Sequence, residues 1–341
     1  MRRLYIDWMR AIAVLCMIEH HTFDAFLSPG LRGSRPDRLF RFLGGVAAPA
    51  FLFLAGLAVV LMLERRPDWR RAARRGLLIM GGAYLFRLQE WALWFGAARL
   101  SDLLRLDILN VIGLALLLVA LLWGALRRPL LPFAALALLI ALATPALWAA
   151  PLAGLPPLLA GYLRGRTGYA LFPLFPWLGH AFAGAAVGVL LARRTVDEAV
   201  FMRRLALGAA AVAALALLAD ALPVRLFPGL DWWDTSPAYF LLRTCSNVLL
   251  LAACWLLERV LRPAAPGLAA RLGRHSLVIY WVHIEVVYGR WFWRARGTLD
   301  LWHGALALAG VLAMMVALAY LIQPLKALPV FRVFEPRTAP T

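Results

Sequence analysis

The feature that most constrains this chain is a series of apolar segments, each about as long as a lipid bilayer is thick. A helix needs roughly 20 consecutive, mainly apolar residues to cross the hydrocarbon core. Ten segments reach that length, at 5–27, 41–63, 72–96, 103–126, 129–149, 172–192, 203–222, 236–260, 273–293 and 302–324. Because backbone groups in lipid must be hydrogen-bonded within the protein, and because barrel strands are far shorter, we expect transmembrane helices.

Composition excludes the soluble classes of protein. Apolar residues make up 63% of the 341 residues, and charged residues 16%, whereas soluble domains carry about 25% charged residues. A soluble fold of this size could not withdraw so much apolar surface from water. We therefore predict an all-α, polytopic transmembrane bundle of about ten helices that forms one integral-membrane domain over residues 1–341.

The positive charge of the chain, formally +18, is concentrated in short loops. Arginines cluster at 64–75, 127–128, 193–204 and 258–271, and both termini are basic. Basic loops of this kind face the cytoplasm and contact anionic lipids. The pattern predicts a multi-pass protein of a bacterial-type inner membrane with both termini in the cytoplasm, and it does not indicate a nucleic-acid partner.

Six of the predicted helices carry polar residues at a similar depth, toward the outer side. Ionisable groups inside a membrane are costly, so each is a candidate functional residue. The groups are His20, His21 and Asp24; Arg87, Gln89 and Glu90; Asp102, Arg105, Asp107 and Asn110; Trp177 and His180; Arg243, Ser246 and Asn247; and Tyr280, His283 and Glu285. Their common depth predicts a polar cavity that opens outward.

The first helix places Asp7, Arg10, His21 and Asp24 on one face. Arg10 and His21 are eleven residues apart, roughly 16 Å along a helix axis. His21 and Asp24 are i,i+3 neighbours, so the carboxylate is placed to orient the imidazole. Histidine titrates near neutral pH and serves as a general base. The alternative interpretation of His21, as a structural histidine in a bundle core, stays open at this point.

The segment "ERRPDWRRAARRG" is the densest run of charge, and it contains Arg71, Arg74 and Arg75. Arginines of this kind bind phosphate groups, but they also serve as topology signals that contact lipid headgroups. Composition alone favours the topology signal. The sequence contains no zinc-binding spacing, no Walker A motif and no GxGxxG motif. We therefore expect a metal-free protein that is not driven by nucleotide hydrolysis.

Several segments together resemble a known family. "IDWMRAIAVLCMIEHHTFDAF", with Asp7, Arg10, Met17, His21 and Asp24, is similar to the first helix of the heparan-α-glucosaminide N-acetyltransferase-like family of transmembrane acyltransferases, which is related to the glycan O-acyltransferases. "APAFLFLAGLAV", "LDILNVIGL", "FPLFPWLG" and "LGRHSLVIYWVH" follow in the order of the family's later markers.

The resemblance implies an acyltransferase that moves an acetyl or short acyl group from cytoplasmic acyl-CoA across the membrane to a sugar hydroxyl or amine. Acetyl-CoA is then the co-substrate, and a glycan or glycolipid is the acceptor. The implied catalytic residues are His21, as base or acyl carrier, and Asp24, which would orient it. The implied CoA-binding residues are Arg10, Arg71, Arg74, Arg75 and Arg87, and the implied acceptor-binding residues are Glu90, Asp107, Asn110, Tyr280 and His283.

A transporter or flippase for a glycan or glycolipid is the alternative function, because it would need the same polar cavity and basic loops. Transporters commonly show internal repeats with matching broken helices, and no such repeat stands out in this sequence. The sequence leaves open the acceptor, N- versus O-acylation, the length of the acyl chain, a covalent acyl-histidine versus direct transfer, and assembly as a homodimer.

Overall fold

The computed structural model describes residues 3–93, 100–126, 129–165, 169–220, 232–261 and 267–327. Within these ranges the regular structure is helical, and the only strand-like pairings are two isolated bridges, which confirms the all-α prediction. The α-helices are α1 (Leu4–Phe26), α2 (Arg35–Gly44), α3 (Ala47–Arg65), α4 (Trp69–Leu93), α5 (Ile108–Ala125), α6 (Leu130–Ala149), α7 (Pro157–Leu163), α8 (Leu174–Ala192), α9 (Glu198–Asp220), α10 (Trp232–Thr235), α11 (Pro237–Leu261), α12 (Leu268–Arg274), α13 (Ser276–Tyr288) and α14 (Leu301–Ala327).

Seven spans among the described residues are long and apolar enough to cross a membrane, which identifies an integral membrane protein. Helices α2 and α3 count together as one of them, and the others are α5, α6, α8, α9, α11 and α14. The remaining predicted segments coincide with α1 and α4, which carry several charges, and with α13, which has 13 residues. The count of ten and the orientation of the termini therefore stay predictions.

Two of the predicted segments are each divided into two helices. The segment predicted at 41–63 contains a break after Gly44, between the polar helix α2 and the apolar helix α3. The segment predicted at 273–293 is interrupted at His275, which separates α12 from α13. Hydropathy averaged over a whole segment cannot detect these breaks, because the few polar residues beside them are outweighed by the apolar residues of α3 and α13. Residues 94–96, 127–128 and 221–222 of the predicted pattern lie outside the described residues.

Contacts divide the chain into two compact units, although the sequence predicted a single domain. The first unit comprises residues 1–47 and 258–341, and the second comprises residues 48–257. The first unit is thus discontinuous in sequence, because the entire second unit is inserted into it. Each unit is described by itself below.

The first unit is built around α1, which packs against α2, α12, α13 and α14. Gly273 of α12 lies against the backbone carbonyl of Asp7, where a larger residue would overlap it. The carboxyl end of α1 is held by the chain that precedes α14: Gly297 donates its N–H to Ala25 O (3.0 Å), and Leu299 donates to Phe26 O (2.9 Å). These bonds satisfy carbonyls that a helix end otherwise leaves unpaired.

The second unit is dominated by two helix pairs, α4 with α5 and α6 with α8. Glycines set the closest approaches between helices. A Cβ atom on Gly56 of α3 would overlap the carbonyl of Ala181 on α8, and one on Gly184 of α8 would overlap that of Phe53 on α3. Small residues at helix crossings let backbones approach closely, as is typical of membrane bundles.

Candidate functional site

A pair of histidines lies at the centre of the first unit. His21 on α1 and His283 on α13 are 262 positions apart in sequence, and His21 Nδ1 lies 2.9 Å from His283 Nε2. The two ring planes differ by 3°, and their centroids are 5.2 Å apart. That separation, together with the short N···N contact, places the rings edge to edge in nearly one plane. The arrangement is therefore a direct ring-to-ring hydrogen bond, because stacked rings would not bring these nitrogen atoms together in the ring plane.

The surroundings fix both imidazole rings. His283 is fully buried, at 0% exposure, and its Nδ1 lies 2.9 Å from the carbonyl oxygen of Ile279, one helical turn earlier. The ring of Tyr280 meets His283 edge-on, and that of Tyr288 meets His21 in the same way. His21 keeps part of its surface exposed. The predicted residues His21, Tyr280 and His283 are thus brought together.

Asp24 lies near this pair, but its carboxylate is engaged elsewhere. It accepts hydrogen bonds from the phenol of Tyr288 (2.9 Å) and from Arg32 (3.2 Å). Among the hydrogen bonds of the described residues, none joins Asp24 to His21. The direct orientation of His21 by Asp24, expected from the i,i+3 spacing, is therefore not what the structure shows. The ring is held from α13, because the carboxylate turns toward Tyr288 and Arg32.

Tyr288 and Arg32 are the residues of this site that the sequence interpretation missed. Tyr288 is the last residue of α13 and lies beyond the polar stripe formed by Ser276, Tyr280 and His283. Arg32 falls in a loop, where an arginine looks like any other charged loop residue. No pattern in the sequence identifies Tyr288, because its contact with Asp24 depends on how α13 packs against α1.

Arg10 lies on the same helix as His21, nearer its amino end. Its guanidinium is 3.5 Å from the carboxylate of Asp7, which is 3% exposed. Because α1 is continuous over Leu4–Phe26, the roughly 16 Å separation of Arg10 and His21 along the axis holds.

The predicted phosphate-binding arginines lie at the start of α4, in the second unit. The side chains of Arg71, Arg74 and Arg75 are all exposed, and their i, i+3, i+4 spacing places them on one face of the helix. Asp68 caps this helix, since its carboxylate accepts from the backbone N–H of Arg71 (2.9 Å). The three cations are therefore accessible to an anionic ligand.

Four other predicted residues of the second unit are brought together, but they bind one another. Arg87 on α4 pairs with Glu90 (2.5 Å) and with Asp107 (2.9 Å), which precedes α5. Asp107 also accepts from the N–H of Ile108 (2.6 Å), and Asn110 Oδ1 accepts from the N–H of Asp107 (3.0 Å), which completes a capping box. The amide nitrogen of Asn110 is buried without a hydrogen-bond partner. The Arg87 guanidinium is therefore shared between two carboxylates of the cluster.

A further polar set lines a small pocket at the amino ends of α8 and α11. The guanidinium of Arg243 lies 4.4 Å from the ring centre of Tyr239 and 5.9 Å from that of Trp177. His180, 1% exposed, stacks on Phe240 and bonds to the hydroxyl of Thr244 (3.0 Å). Of the residues predicted to share one cavity, His21, Tyr280 and His283 meet in the first unit. The second unit holds the cluster around Arg87 and this set around Arg243.

No cluster of three or more histidine, cysteine, aspartate or glutamate side chains suited to a metal ion occurs in the described part of the chain. The expectation of metal-free chemistry stays a prediction.

Residues 2–223 match the family described as heparan-alpha-glucosaminide N-acetyltransferase, catalytic. The match includes His21, Asp24 and the arginines predicted to bind CoA, whereas Arg243, Tyr280, His283 and Tyr288 lie beyond its end. No curated protein matches the chain at a significant level.

Proposed function

Because the chain belongs to the heparan-alpha-glucosaminide N-acetyltransferase catalytic family, we propose that it transfers an acetyl or short acyl group from cytoplasmic acyl-CoA to a sugar hydroxyl or amine on the opposite side of the membrane. Family membership gives acetyltransferase activity in general; the CoA donor, the glycan acceptor and the roles of individual residues are our proposal. The observation that carries it is the in-plane hydrogen bond between His21 and the buried His283, which presents an imidazole inside a membrane protein.

The reaction needs one base and one leaving group. In direct transfer, the hydroxyl or amine of the acceptor gives its proton to His21, and its oxygen or nitrogen attacks the thioester carbonyl carbon. The C–S bond then breaks, and the departing thiolate of CoA takes the proton from the imidazolium. In the covalent alternative, a ring nitrogen of His21 attacks the thioester carbonyl, and the C–S bond breaks to release the CoA thiolate. The acceptor then attacks the acyl-histidine, the carbon–nitrogen bond to His21 breaks, and the proton of the acceptor passes to the departing imidazole and from there to the thiolate. Both routes use the same histidine and leave the same products.

The donor would be held by arginines. The exposed Arg71, Arg74 and Arg75 match the phosphate groups of CoA, because guanidinium groups bind phosphate oxygens in a bidentate manner. Arg10 would contact CoA closer to His21, and the roughly 16 Å between them is comparable to the reach of a pantetheine arm. Arg87 stays a predicted CoA residue, although its ion pairs with Glu90 and Asp107 would compete with phosphate.

Of the other residues predicted to bind the acceptor, Tyr280 belongs to the first unit and Glu90, Asp107 and Asn110 belong to the second. The fully buried His283 would act on the acceptor only through His21. Localisation in a bacterial-type inner membrane with cytoplasmic termini is supported by the arginine-rich loops. Contact with anionic lipids and assembly as a homodimer belong to the proposal as well. Transport of a glycan or glycolipid is the outcome to pursue if acyl-CoA does not bind.

The first experiment measures acetyl-CoA binding and release of free CoA thiol with the purified protein. We expect the wild type to bind acetyl-CoA and turn it over slowly. His21→Ala should bind with a similar Kd but release CoA slower by about 10²- to 10⁴-fold, the usual contribution of a general base. His303→Ala is the matched control, because His303 is exposed at the start of α14. Absence of acetyl-CoA binding by the wild type would refute the proposal and direct the work to glycolipid transport.

The arginine cluster is tested separately. Replacing Arg71 and Arg74 by Ala should raise the KM for acetyl-CoA by about tenfold or more, because charge-assisted bonds to phosphate are lost. Arg203→Ala with Arg204→Ala is the matched control, since these arginines are also exposed and lie in another basic segment. If both double variants change only membrane insertion or yield, Arg71 and Arg74 are topology signals and the phosphate role is wrong.

A further inference from the structure

We infer that His283 is a positioning residue that fixes His21 in its Nδ1–H tautomer and so leaves Nε2 of His21 as the basic nitrogen. The catalytic meaning of this inference rests on the proposed acyltransferase function, but the tautomer itself follows from the geometry alone. His283 lies outside the residues that match the family, so its role is assigned by its contacts.

The first step concerns the proton on His283. Its Nδ1 lies 2.9 Å from the carbonyl oxygen of Ile279. A carbonyl oxygen can only accept a hydrogen bond, so Nδ1 of His283 must carry the hydrogen. A neutral imidazole has a single N–H, and Nε2 of His283 is then an acceptor.

The second step concerns the charge on His283. The ring is fully buried, and its described hydrogen-bond partners are the backbone of Ile279 and Tyr280 and another imidazole. The nearby carboxylate of Asp24 is engaged by Tyr288 and Arg32. Burying an imidazolium away from a carboxylate is costly. The neutral ring, with one N–H, therefore fits this environment.

The third step passes the constraint to His21. Its Nδ1 lies 2.9 Å from Nε2 of His283, with the two rings within 3° of one plane. Because Nε2 of His283 accepts, Nδ1 of His21 must donate, and Nε2 of His21 keeps its lone pair. Neutral histidine in water favours the Nε2–H form, so the pair imposes the less common tautomer on His21.

The consequence is that one nitrogen of His21 is available as a base or nucleophile. A base or nucleophile needs a lone pair, and Nε2 of His21 has one in every molecule in which the His21 ring is neutral and keeps this hydrogen-bond chain. When Nε2 takes a proton from the acceptor, the Nδ1–H of His21 continues to donate to His283. No proton moves to His283 itself, so it acts only through His21. The function resembles that of the carboxylate that orients the histidine of a Ser-His-Asp triad, with a backbone-anchored imidazole in its place.

The kinetic test compares His283→Phe with His283→Gln in acetyl-CoA turnover. Phe fills the space but cannot accept a hydrogen bond, whereas the side-chain oxygen of Gln can accept from His21 Nδ1–H. We expect His283→Phe to lower kcat by about 100-fold or more, and His283→Gln by less than about tenfold, with the KM for acetyl-CoA within about twofold in both variants. Wild-type kcat in His283→Phe would overturn the inference.

The spectroscopic test reads the tautomer directly. In ¹⁵N-histidine-labelled protein in membranes, the signal of His21 is the one of the six histidine signals that disappears in His21→Ala. We expect an Nδ1–H tautomer in the wild type and an Nε2–H tautomer in His283→Phe. An Nε2–H tautomer in the wild type refutes the inference even if no His283 variant folds. If turnover is absent or survives in His21→Ala, the proposed function fails, and the tautomer measurement still decides the positioning role.

Discussion

Two polar clusters lie within apolar helices of this chain, and they are built in opposite ways. In the first unit, His21 and His283 form a pair of imidazole rings. In the second unit, the guanidinium of Arg87 forms ion pairs with two carboxylates, those of Glu90 and Asp107. Both clusters are costly to bury, and both satisfy the simple criterion of ionisable groups inside a membrane protein. Their contacts distinguish them.

The two clusters differ in how many of their hydrogen-bonding atoms have a partner. Both terminal nitrogens of Arg87 contact carboxylates, and Asp107 additionally caps α5. The histidine pair uses both ring nitrogens of His283, but only Nδ1 of His21. A fold is most stable when all its buried polar groups are hydrogen-bonded. A catalytic base, in contrast, needs one atom whose lone pair is not used in a hydrogen bond. Mutual pairing therefore indicates a structural role for the Arg87 cluster.

The largest expected difference between the two clusters is in their contribution to the stability of the fold. Arg87→Leu leaves two carboxylates unpaired in the second unit, and breaking a buried ion pair costs about 3–5 kcal/mol. We expect a marked drop in the free energy of unfolding, measured by denaturant titration in detergent, whereas His21→Ala should change it by less than about 1 kcal/mol. If Arg87→Leu is as stable as the wild type but binds acetyl-CoA poorly, Arg87 belongs to the donor site and the comparison is broken.

A smaller effect tests how Asp24 acts in the first unit. Tyr288→Phe removes the phenol that donates to Asp24, and the loss of one such hydrogen bond costs about 1 kcal/mol. We expect kcat to fall by less than about tenfold, because Asp24 does not bond to His21. Asp24→Asn should behave similarly in the same turnover assay. If Asp24→Asn lowers kcat as much as His283→Phe does, then Asp24 orients His21 during the reaction, as the sequence spacing predicted.

The smallest effect is a pH dependence at the start of α14. The backbone N–H of His303 donates to the carboxylate of Asp300 (2.9 Å), and this bond lowers the pKa of Asp300. A lowered pKa stabilises the fold above the unfolded-state value of about 3.9, and the contribution is lost as pH falls through the lower folded value. The difference in unfolding midpoint between wild type and Asp300→Ala should therefore be present at pH 7 and shrink below about pH 4.

Asp300→Ala also tests whether the role of a charged residue follows from its partners or from the unit in which it lies. Asp300 belongs to the first unit, as the histidine pair does, yet its partners make it a helix cap. If Asp300→Ala changed kcat rather than stability, the rule that pairing marks structural charges would fail within the first unit itself.

The helices could largely be predicted from the sequence. Segments 129–149 and 236–260 were predicted within one residue of α6 (Leu130–Ala149) and α11 (Pro237–Leu261), because apolar length alone defines a span in lipid. The breaks after Gly44 and at His275 could not be predicted, since they depend on local packing. In the first unit, for example, Gly44 lies directly against the ring of His20.

The candidate site could be predicted only in part. Helical periodicity places His21 and Asp24 near one another on α1. It shows which residues share a face of the helix, but it does not show which other helix packs against that face. Asp24 is three residues from His21 on α1, but its carboxylate bonds to Tyr288 of α13. Which partner Asp24 takes depends on the position of α13 along α1. That position is set by contacts between residues more than 250 positions apart, which no local pattern encodes.

The insertion of one unit into the other has a consequence for biosynthesis. During translation, His21 emerges long before His283, and the bonds from Gly297 and Leu299 that hold the end of α1 come later still. At about 5–20 residues per second, the interval between the two histidines is roughly 13–52 s. Throughout that time the ribosome-bound chain carries His21 without its partner. The histidine pair can therefore form only after residue 283 has been synthesised, so a chain that terminates earlier carries His21 without this partner.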